Sequence, residues 1–182
     1  MNGVASMSPD QLRREVASLT QRLQALHHAQ GPRDETGMMR RAAFLEAGAA
    51  EFRRARRYER SLGLLVLRVL PTVQEGDLER AHAMADLLAG VLRDGIDQPG
   101  RLDASSWGVL LPETGLSGAL ALADRMRHAA SRLRLPTERG TLRLAGACSA
   151  DALLIDDERF KTMLDRAVAA LSRSVGEGSA EA

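Results

Sequence analysis

Cysteine and aromatic residues are scarce in this chain of 182 residues. Cys148 is the only cysteine, which excludes an internal disulfide and a metal site built on several thiolates. Because Cys148 falls in an apolar stretch typical of a strand, we expect a buried and unreactive thiol. Aromatic residues make up 3% of the chain and apolar residues 45%, so the core must consist mainly of Leu, Ala and Val.

An excess of one charge and a long apolar run are missing as well. Lys and Arg together number 25 and Asp and Glu 24, which gives no reason to expect binding to nucleic acid or to an anionic membrane. No apolar run approaches the ~20 residues of a membrane span, and the N-terminus lacks a basic segment followed by an apolar one. The composition predicts a cytoplasmic protein with no membrane span and no nucleic-acid partner.

Length and residue pattern divide the chain into four segments. We expect residues 1–7 and 177–182 to be disordered, residues 8–30 to form a coiled-coil dimerisation helix, and residues 31–176 to form a globular domain. Gly31 and Pro32 mark the boundary between the helix and the domain.

The dimerisation helix is predicted from the spacing of its apolar residues. They recur at intervals of four and three, which is the a/d pattern of a coiled coil. The seam consists of Leu12, Val16, Leu19, Leu23 and Leu26. A helix packed on its own domain is the alternative, but the narrow stripe and the linker after it favour a coiled coil. A seam this short is marginal alone, so we expect the globular part to help hold the dimer.

In the globular segment, helical and strand patterns alternate. The expected elements are helices up to residue 60, over 77–93 and 114–133 and from near Asp156, and strands over 62–70, 107–111 and 141–149. This order predicts an α/β (α+β) fold, with a mixed central sheet flanked by helices. Residues 62–70 form a nearly continuous apolar run, typical of a central strand covered on both faces, and Arg68 interrupts it.

The run RRARRYER at residues 53–60 is conspicuously basic. Such a run on a helix is usually a solvated face, and Glu51 and Glu59 lie within reach as partners. A docking site for an anionic ligand or an acidic partner is the alternative.

Four segments of the domain carry a family resemblance. Residues 36–44 (TGMMRRAAF) are similar to "LTGL-x-NRR-x-F", and residues 110–127 follow the pattern "LLP-x-T…A…A…R". Residues 142–150 lie where "vTvSiGvA" is expected, and residues 165–168 are similar to "AD-x-AL". In this order and spacing, the segments resemble the GGDEF domain of diguanylate cyclases, which join two GTP molecules into cyclic di-GMP.

The resemblance aligns the family's signature with a turn that enters the strand at residues 107–111. The signature positions are Asp103, Ala104, Ser105, Ser106 and Trp107. Arg101 matches the arginine that commonly precedes the signature. In the family, two glycines let the backbone approach GTP and an acidic residue helps to hold the metal. Here the first two positions carry Cβ atoms, Asp103 adds a negative charge facing the phosphates, and the two serines are neutral where a carboxylate is needed.

The family's other functional residues are missing too. Arg68 stands where the resemblance expects a second metal-binding aspartate, and a cation there repels a divalent metal. The base-reading segment is absent from residues 71–76, and the lysine of the last helix is replaced near Ser172. Cyclase chemistry needs two metal-activated GTP molecules held face to face. The resemblance therefore implies a member with no catalytic residues, no metal and no cofactor.

The family's product-binding site, an R-x-x-D that precedes the signature, is altered as well. Arg93 and Asp97 are one residue too far apart to match it, and Asp97 lies one position early. The resemblance therefore leaves cyclic di-GMP binding at this place without a matching motif.

These departures predict a catalytically inactive signalling module. It would act as a dimeric protein-interaction or regulatory domain in a cyclic di-GMP-related or bacterial regulatory pathway, with another signalling protein as partner. The alternative is a non-catalytic sensor that binds a guanine nucleotide, either GTP or cyclic di-GMP. Its suggested contacts are Arg68, Arg93, Asp97 and Arg101. Arg68 would then meet a phosphate directly; otherwise we expect it to be partly buried and paired with Asp103.

Overall fold

A computed structural model describes residues 31–70, 77–137, 140–143 and 145–178, together with Gln11, Arg13, Glu15, Val16 and Ser18. Val16 has helical backbone, and 60% of its surface is exposed. The other residues of the expected coiled-coil seam, Leu12, Leu19, Leu23 and Leu26, lie outside the described residues, as do residues 1–7 and 179–182. The dimerisation helix therefore stays a prediction.

From residue 31 onward, the described residues form four helices and six strands. In chain order they are α1 (Arg41–Arg57), β1 (Leu62–Leu70), α2 (Asp77–Val91), β2 (Gln98–Arg101), β3 (Ser106–Pro112), α3 (Leu116–Arg132), β4 (Arg134–Thr137), β5 (Gly140–Arg143), β6 (Ala145–Ala152) and α4 (Phe160–Gly178). No helix in the described part of the chain combines the length and apolar character that crossing a membrane requires.

The central sheet has the strand order β2-β3-β1-β6, and all three of its ladders are antiparallel. The α+β fold class predicted from the sequence is confirmed, but the sheet is antiparallel where a mixed sheet was expected. The difference arises because β2 and β3 form a hairpin and both neighbours of β1 run opposite to it. Pattern alone does not indicate β2, since Pro99 and Gly100 are residue types that strands usually lack.

Two other boundaries differ from expectation. The strand expected over residues 141–149 is two strands: β5 pairs with β4 in a separate two-stranded sheet, whereas β6 pairs with β1. The last helix begins at Phe160, later than expected, because Asp157 closes a turn with Leu154 instead of entering the helix.

The core lies on both faces of the sheet, as expected for a strand like β1. Leu65, Leu67 and Val69 of β1 face α2 and α3, and they pack there with Trp107. Leu64 and Val66 face the opposite way and pack against α1 and α4. This alternation follows from the two-residue period of a strand. Trp107 is a core residue with no exposed surface, so the last signature position serves packing.

Phe44 of α1 fixes the β2–β3 hairpin against the helix. Gly100 and Gly108 lie opposite each other in the two strands, and the Phe44 ring lies against both. Its edge contacts Phe160 of α4, with ring centroids 6.2 Å apart. The hairpin that carries the signature turn is therefore anchored on a buried aromatic pair.

Candidate functional site

The signature turn connects β2 to β3 and closes on its own backbone. The N–H groups of Leu102 and Asp103 both donate to the carbonyl of Ser106, at 2.9 and 3.2 Å. Asp103 Oδ1 accepts from the N–H of Ser105 at 2.9 Å and from its hydroxyl at 3.3 Å. Arg101 Nε donates to the carbonyl of Asp103 at 3.2 Å. Polar groups of residues 101–106 therefore bond to one another and stabilise the conformation of the turn.

Arg68 and Ser106 are paired across the sheet at the start of β3. They are register partners of β1 and β3, and Arg68 Nε donates to Ser106 Oγ at 3.1 Å. Ser106 is 2% exposed and Arg68 is half-buried. The expected ion pair of Arg68 with Asp103 is wrong, because the opposed strands bring Ser106 next to the guanidinium while Asp103 Oδ1 binds Ser105.

These side chains do not fit a divalent-cation site. Magnesium and calcium select oxygen ligands, mainly carboxylates, and the pair holds a guanidinium and a neutral hydroxyl. Among the residues that the structure describes, no group of three or more His, Cys, Asp or Glu is arranged to hold a metal ion. The guanidinium can attract an anion, and the pair offers no carboxylate to a divalent cation.

Arg93 and Asp97 do meet, in an ion pair at the other end of β3. Arg93 Nη2 and Nε lie 2.6 and 3.1 Å from Asp97 Oδ1, and the N–H of Arg93 donates to Oδ2 at 2.9 Å. The hydrogen bond to Asp97 raises the pKa of the Arg93 guanidinium. Arg93 Nη2 also donates to the carbonyl of Pro112 and to the hydroxyl of Thr114.

The suggested ligand contacts therefore fall into two groups. Arg68 and Arg101 lie beside the signature turn, at the start of β3. Arg93 and Asp97 lie beside Pro112, at its end, and satisfy each other there. The structure does not bring all four residues into one site.

A cleft of about 730 Å³ lies beside the signature turn and was not predicted. It is lined by Arg101, Leu102 and Asp103 of the turn and by Arg40 and Arg41 at the start of α1. Arg41 Nη1 donates to the carbonyl of Leu102 at 2.8 Å, which joins the helix to the turn. The lining of the cleft contains three arginines and four carboxylates. The carboxylates belong to Asp34, Glu35, Glu46 and Asp103. The only sequence signal for it was the pair Arg40-Arg41 in the segment that resembles the family's opening motif.

Cys148 lies apart from these groups, in β6. Burial raises the pKa of its thiol to about 12. The thiol is therefore protonated near neutral pH, and it lacks the thiolate character that a reactive cysteine needs.

Three solved structures show what the fold is similar to. The diguanylate cyclase SiaD of Pseudomonas aeruginosa, in complex with its activator SiaC, is 25% identical over 93% of this chain and 71% of its own, with a TM-score of 0.72. The coiled coil and GGDEF domain of DgcB from Caulobacter crescentus, in complex with c-di-GMP, is 17% identical over 91% of both chains, with a TM-score of 0.71. The GGDEF domain of FimX from Pseudomonas aeruginosa is 14% identical over 81% of this chain and 95% of its own, with a TM-score of 0.73.

No family model matches the sequence, and no curated protein matches it either. The low identities to the second and third structures show the fold alone. The fold of these structures agrees with the family resemblance of the four sequence segments. The central sheet and flanking helices of this chain agree with that fold. The chain therefore contains a GGDEF-like domain.

Proposed function

We propose that this GGDEF-like domain is catalytically inactive and acts in the cytoplasm as a dimeric protein-interaction or regulatory module of a bacterial, cyclic di-GMP-related pathway. The hydrogen bond from Arg68 Nε to Ser106 Oγ carries the proposal. It occupies the place where the family resemblance expects two metal-binding carboxylates. Without them, the phosphates of GTP lack the divalent cation that neutralises charge in nucleotidyl transfer.

The first expected result is the absence of cyclase activity. Incubated with GTP and Mg²⁺ or Mn²⁺, the protein should form no cyclic di-GMP above a protein-free control, as measured by chromatography, because Arg68 and Ser106 stand where the resemblance expects metal-binding carboxylates. A diguanylate cyclase assayed in parallel verifies the conditions. The matched double variant Arg68→Asp, Ser106→Glu returns both carboxylates, and it should bind Mn²⁺ more tightly than the wild type by electron paramagnetic resonance. Product that rises in proportion to wild-type protein would contradict inactivity.

The dimer part of the proposal rests on the a/d seam of residues 12–26. Its support is the spacing of the seam and the likeness to the DgcB structure, which contains a coiled coil and a GGDEF domain. The likeness to SiaD, which binds its activator SiaC, supports a second signalling protein as partner. In this view the GGDEF-like domain keeps its fold for contacts, since fold and catalytic site are separable.

Removing residues 1–30 should convert a dimer into a monomer by multi-angle light scattering, because the apolar seam is then lost. The matched test replaces Leu19 and Leu23 by Asp, with Gln21→Asp and Gln24→Asp on the outer face as the control. The seam variant should dissociate and the control variant should not. A full chain that is already monomeric contradicts the coiled coil.

The alternative is a sensor that binds GTP or cyclic di-GMP without turnover. The DgcB structure contains c-di-GMP, and the cleft beside the signature turn presents Arg40, Arg41 and Arg101. At the other end of β3, a ligand would first have to displace Asp97 from Arg93. Titration calorimetry decides between the two functions: no heat at high micromolar GTP or cyclic di-GMP excludes the sensor, whereas binding weakened by Arg93→Ala or Arg101→Ala supports it.

A further inference from the structure

The basic run of α1 lies outside the site described above, and it adjoins the loop between β6 and α4. Arg53, Arg54, Arg56, Arg57 and Arg60 are all exposed. Arg56 Nη1 donates to the carbonyl of Asp157, which joins the end of the helix to this loop. We call the exposed side chains of Arg53, Arg57, Tyr58, Arg60 and Ile155 the basic end surface.

The folded domain leaves part of this charge uncompensated. Arg54 pairs with Glu51 at 3.2 Å, and Arg60 pairs with Glu113. Arg53 and Arg57 form no ion pair with any carboxylate that the structure describes. They are one helical turn apart, so two like charges stand side by side on the same exposed face. A carboxylate from outside the chain would relieve this repulsion.

Tyr58 and Ile155 are exposed apolar side chains, one at the end of α1 and one in the loop that Arg56 joins to it. Tyr58 is 58% exposed, and its ring lies under two guanidiniums, with the centroid 5.6 Å from Arg57 Cζ and 5.9 Å from Arg60 Cζ. Ile155 is 89% exposed, the highest value among the large apolar residues described. Tyrosine and arginine, together with tryptophan, are enriched among the residues that contribute most of the binding energy of protein interfaces.

Hydrogen bonds of the buried Asp157 side chain fix the loop that contains Ile155. Asp157 is 3% exposed, and its Oδ2 accepts from the N–H of Leu154 at 2.8 Å. Arg166 of α4 donates to both oxygens of Asp157, at 2.8 and 3.0 Å. A loop fixed in this way displays Ile155 without a large ordering cost on binding, which favours a role in recognition.

We propose that the basic end surface docks a protein segment in which acidic side chains flank a large apolar one. Guanidiniums pair with carboxylates in a bidentate geometry, and Tyr58 and Ile155 offer contacts to the apolar side chain. A protein segment is favoured over nucleic acid or an anionic membrane because Glu51, Glu59 and Glu113 lie among the arginines. They leave little net charge to release counterions from a phosphate backbone or to hold a lipid surface. This inference rests on the proposed function, because it describes the chemistry of the protein partner proposed there.

A random peptide library displayed on phage tests the proposal with the full chain as bait. Selection on the wild type should enrich peptides with Asp or Glu next to a large apolar residue. The double variant Arg53→Glu, Arg57→Glu should bind the enriched peptides about tenfold more weakly, since it removes the uncompensated cations. The control variant Arg125→Glu, Arg132→Glu makes the same change of charge on the exposed face of α3 and should bind them as the wild type does.

Fluorotyrosine labelling then locates the contact, because Tyr58 is the only tyrosine of the chain. The fluorine resonance should shift when an enriched peptide is added, and it should not shift with vesicles of phosphatidylserine and phosphatidylcholine or with duplex DNA. Enrichment of peptides without acidic residues, equal weakening in the control variant, or a shift with vesicles or DNA alone would each overturn the proposal. So would a library that enriches nothing. Cyclase activity with intact peptide binding would instead overturn only the proposed inactivity.

Discussion

The Gly108→Ala variant is expected to be less stable than the wild type by about 1–3 kcal/mol. A Cβ at this position would lie 2.5 Å from Cζ and 2.8 Å from Cε1 of Phe44. The Phe44 ring has no exposed surface and also packs against Phe160, so it cannot move aside into solvent. Interiors are packed as densely as organic crystals, so the backbone of β3 must shift to accept one methyl group. Denaturant unfolding measures the loss, followed by the fluorescence of Trp107, the single tryptophan.

A double-mutant cycle separates this clash from a general loss of stability. Phe44→Ala alone should cost about 3–5 kcal/mol, because it opens a cavity between α1 and the hairpin. In the Phe44→Ala, Gly108→Ala protein the clash is absent and the added methyl fills part of the cavity. We therefore expect the two changes to cost clearly less together than the sum of their single effects.

Gly90→Ala is the matched glycine control. Gly90 is exposed on α2, and a Cβ there meets no atom within 4 Å. Alanine is the better helix former, so this variant should be unchanged or up to about 1 kcal/mol more stable. Two results would contradict the view that the glycine pair leaves space for the Phe44 ring. One is an equal change in unfolding free energy for Gly90→Ala and Gly108→Ala, and the other is full additivity of Gly108→Ala with Phe44→Ala.

The Arg166→Met variant should lose about 3 kcal/mol of unfolding free energy. Arg166 bridges Asp151 at 2.6 Å and Asp157 at 2.8 Å, and the two acidic side chains are 14% and 3% exposed. Methionine retains most of the aliphatic volume but leaves two poorly solvated carboxylates without the guanidinium that pairs with both of them. Lys161→Met is the control, since the Lys161–Asp165 pair on the same helix is 75% and 62% exposed and should change stability by about 0.5 kcal/mol or less.

The same cluster predicts how stability depends on pH. The hydrogen bond from Arg166 holds the pKa of Asp157 below its usual value, with the N–H of Leu154 acting in the same direction. A carboxyl whose pKa is lower in the folded state stabilises the fold fully above its unfolded pKa of about 3.9. This contribution is lost as the pH falls through the lower, folded value. We therefore expect wild-type stability to fall below about pH 4.

The Arg166→Met variant should lose less stability on acidification, because most of the interaction with Asp157 is already gone. Denaturant midpoints of both proteins, measured from neutral pH down to the acid transition, give the comparison. Parallel pH profiles for the two proteins would mean that Asp157 and Arg166 contribute nothing to acid sensitivity. The ion pair would then make no measurable contribution to the free energy of unfolding in this pH range.

Much of the fold could be predicted from the sequence because its signals are local. The apolar run of β1 and the apolar stripes of the helices depend on residues a few positions apart, and these elements appear where they were expected. The strands β2 and β4 were missed because Pro99 and Pro136 are poor strand residues, and a register with the neighbouring strand is what makes them pair.

The candidate site divides in the same way. The sequence alone determined the chemistry of the signature turn. Asp103 and Ala104 stand where the family resemblance expects glycines, and Ser105 and Ser106 are neutral where it expects a carboxylate. The sequence also determined that Arg68 interrupts an apolar strand. Which partner Arg68 takes was decided by the antiparallel register of β1 and β3, which brings Ser106 opposite the guanidinium.

Other features depended on the tertiary structure alone. The sheet places Arg93 and Asp97 at the opposite end of β3 from Arg68 and Arg101, so the suggested ligand contacts form two groups. The loop after β6 joins the basic end of α1 through the bond from Arg56 to Asp157. Both arrangements depend on contacts between residues that are distant in the chain. They result from strand pairing and core packing, which local residue patterns do not encode.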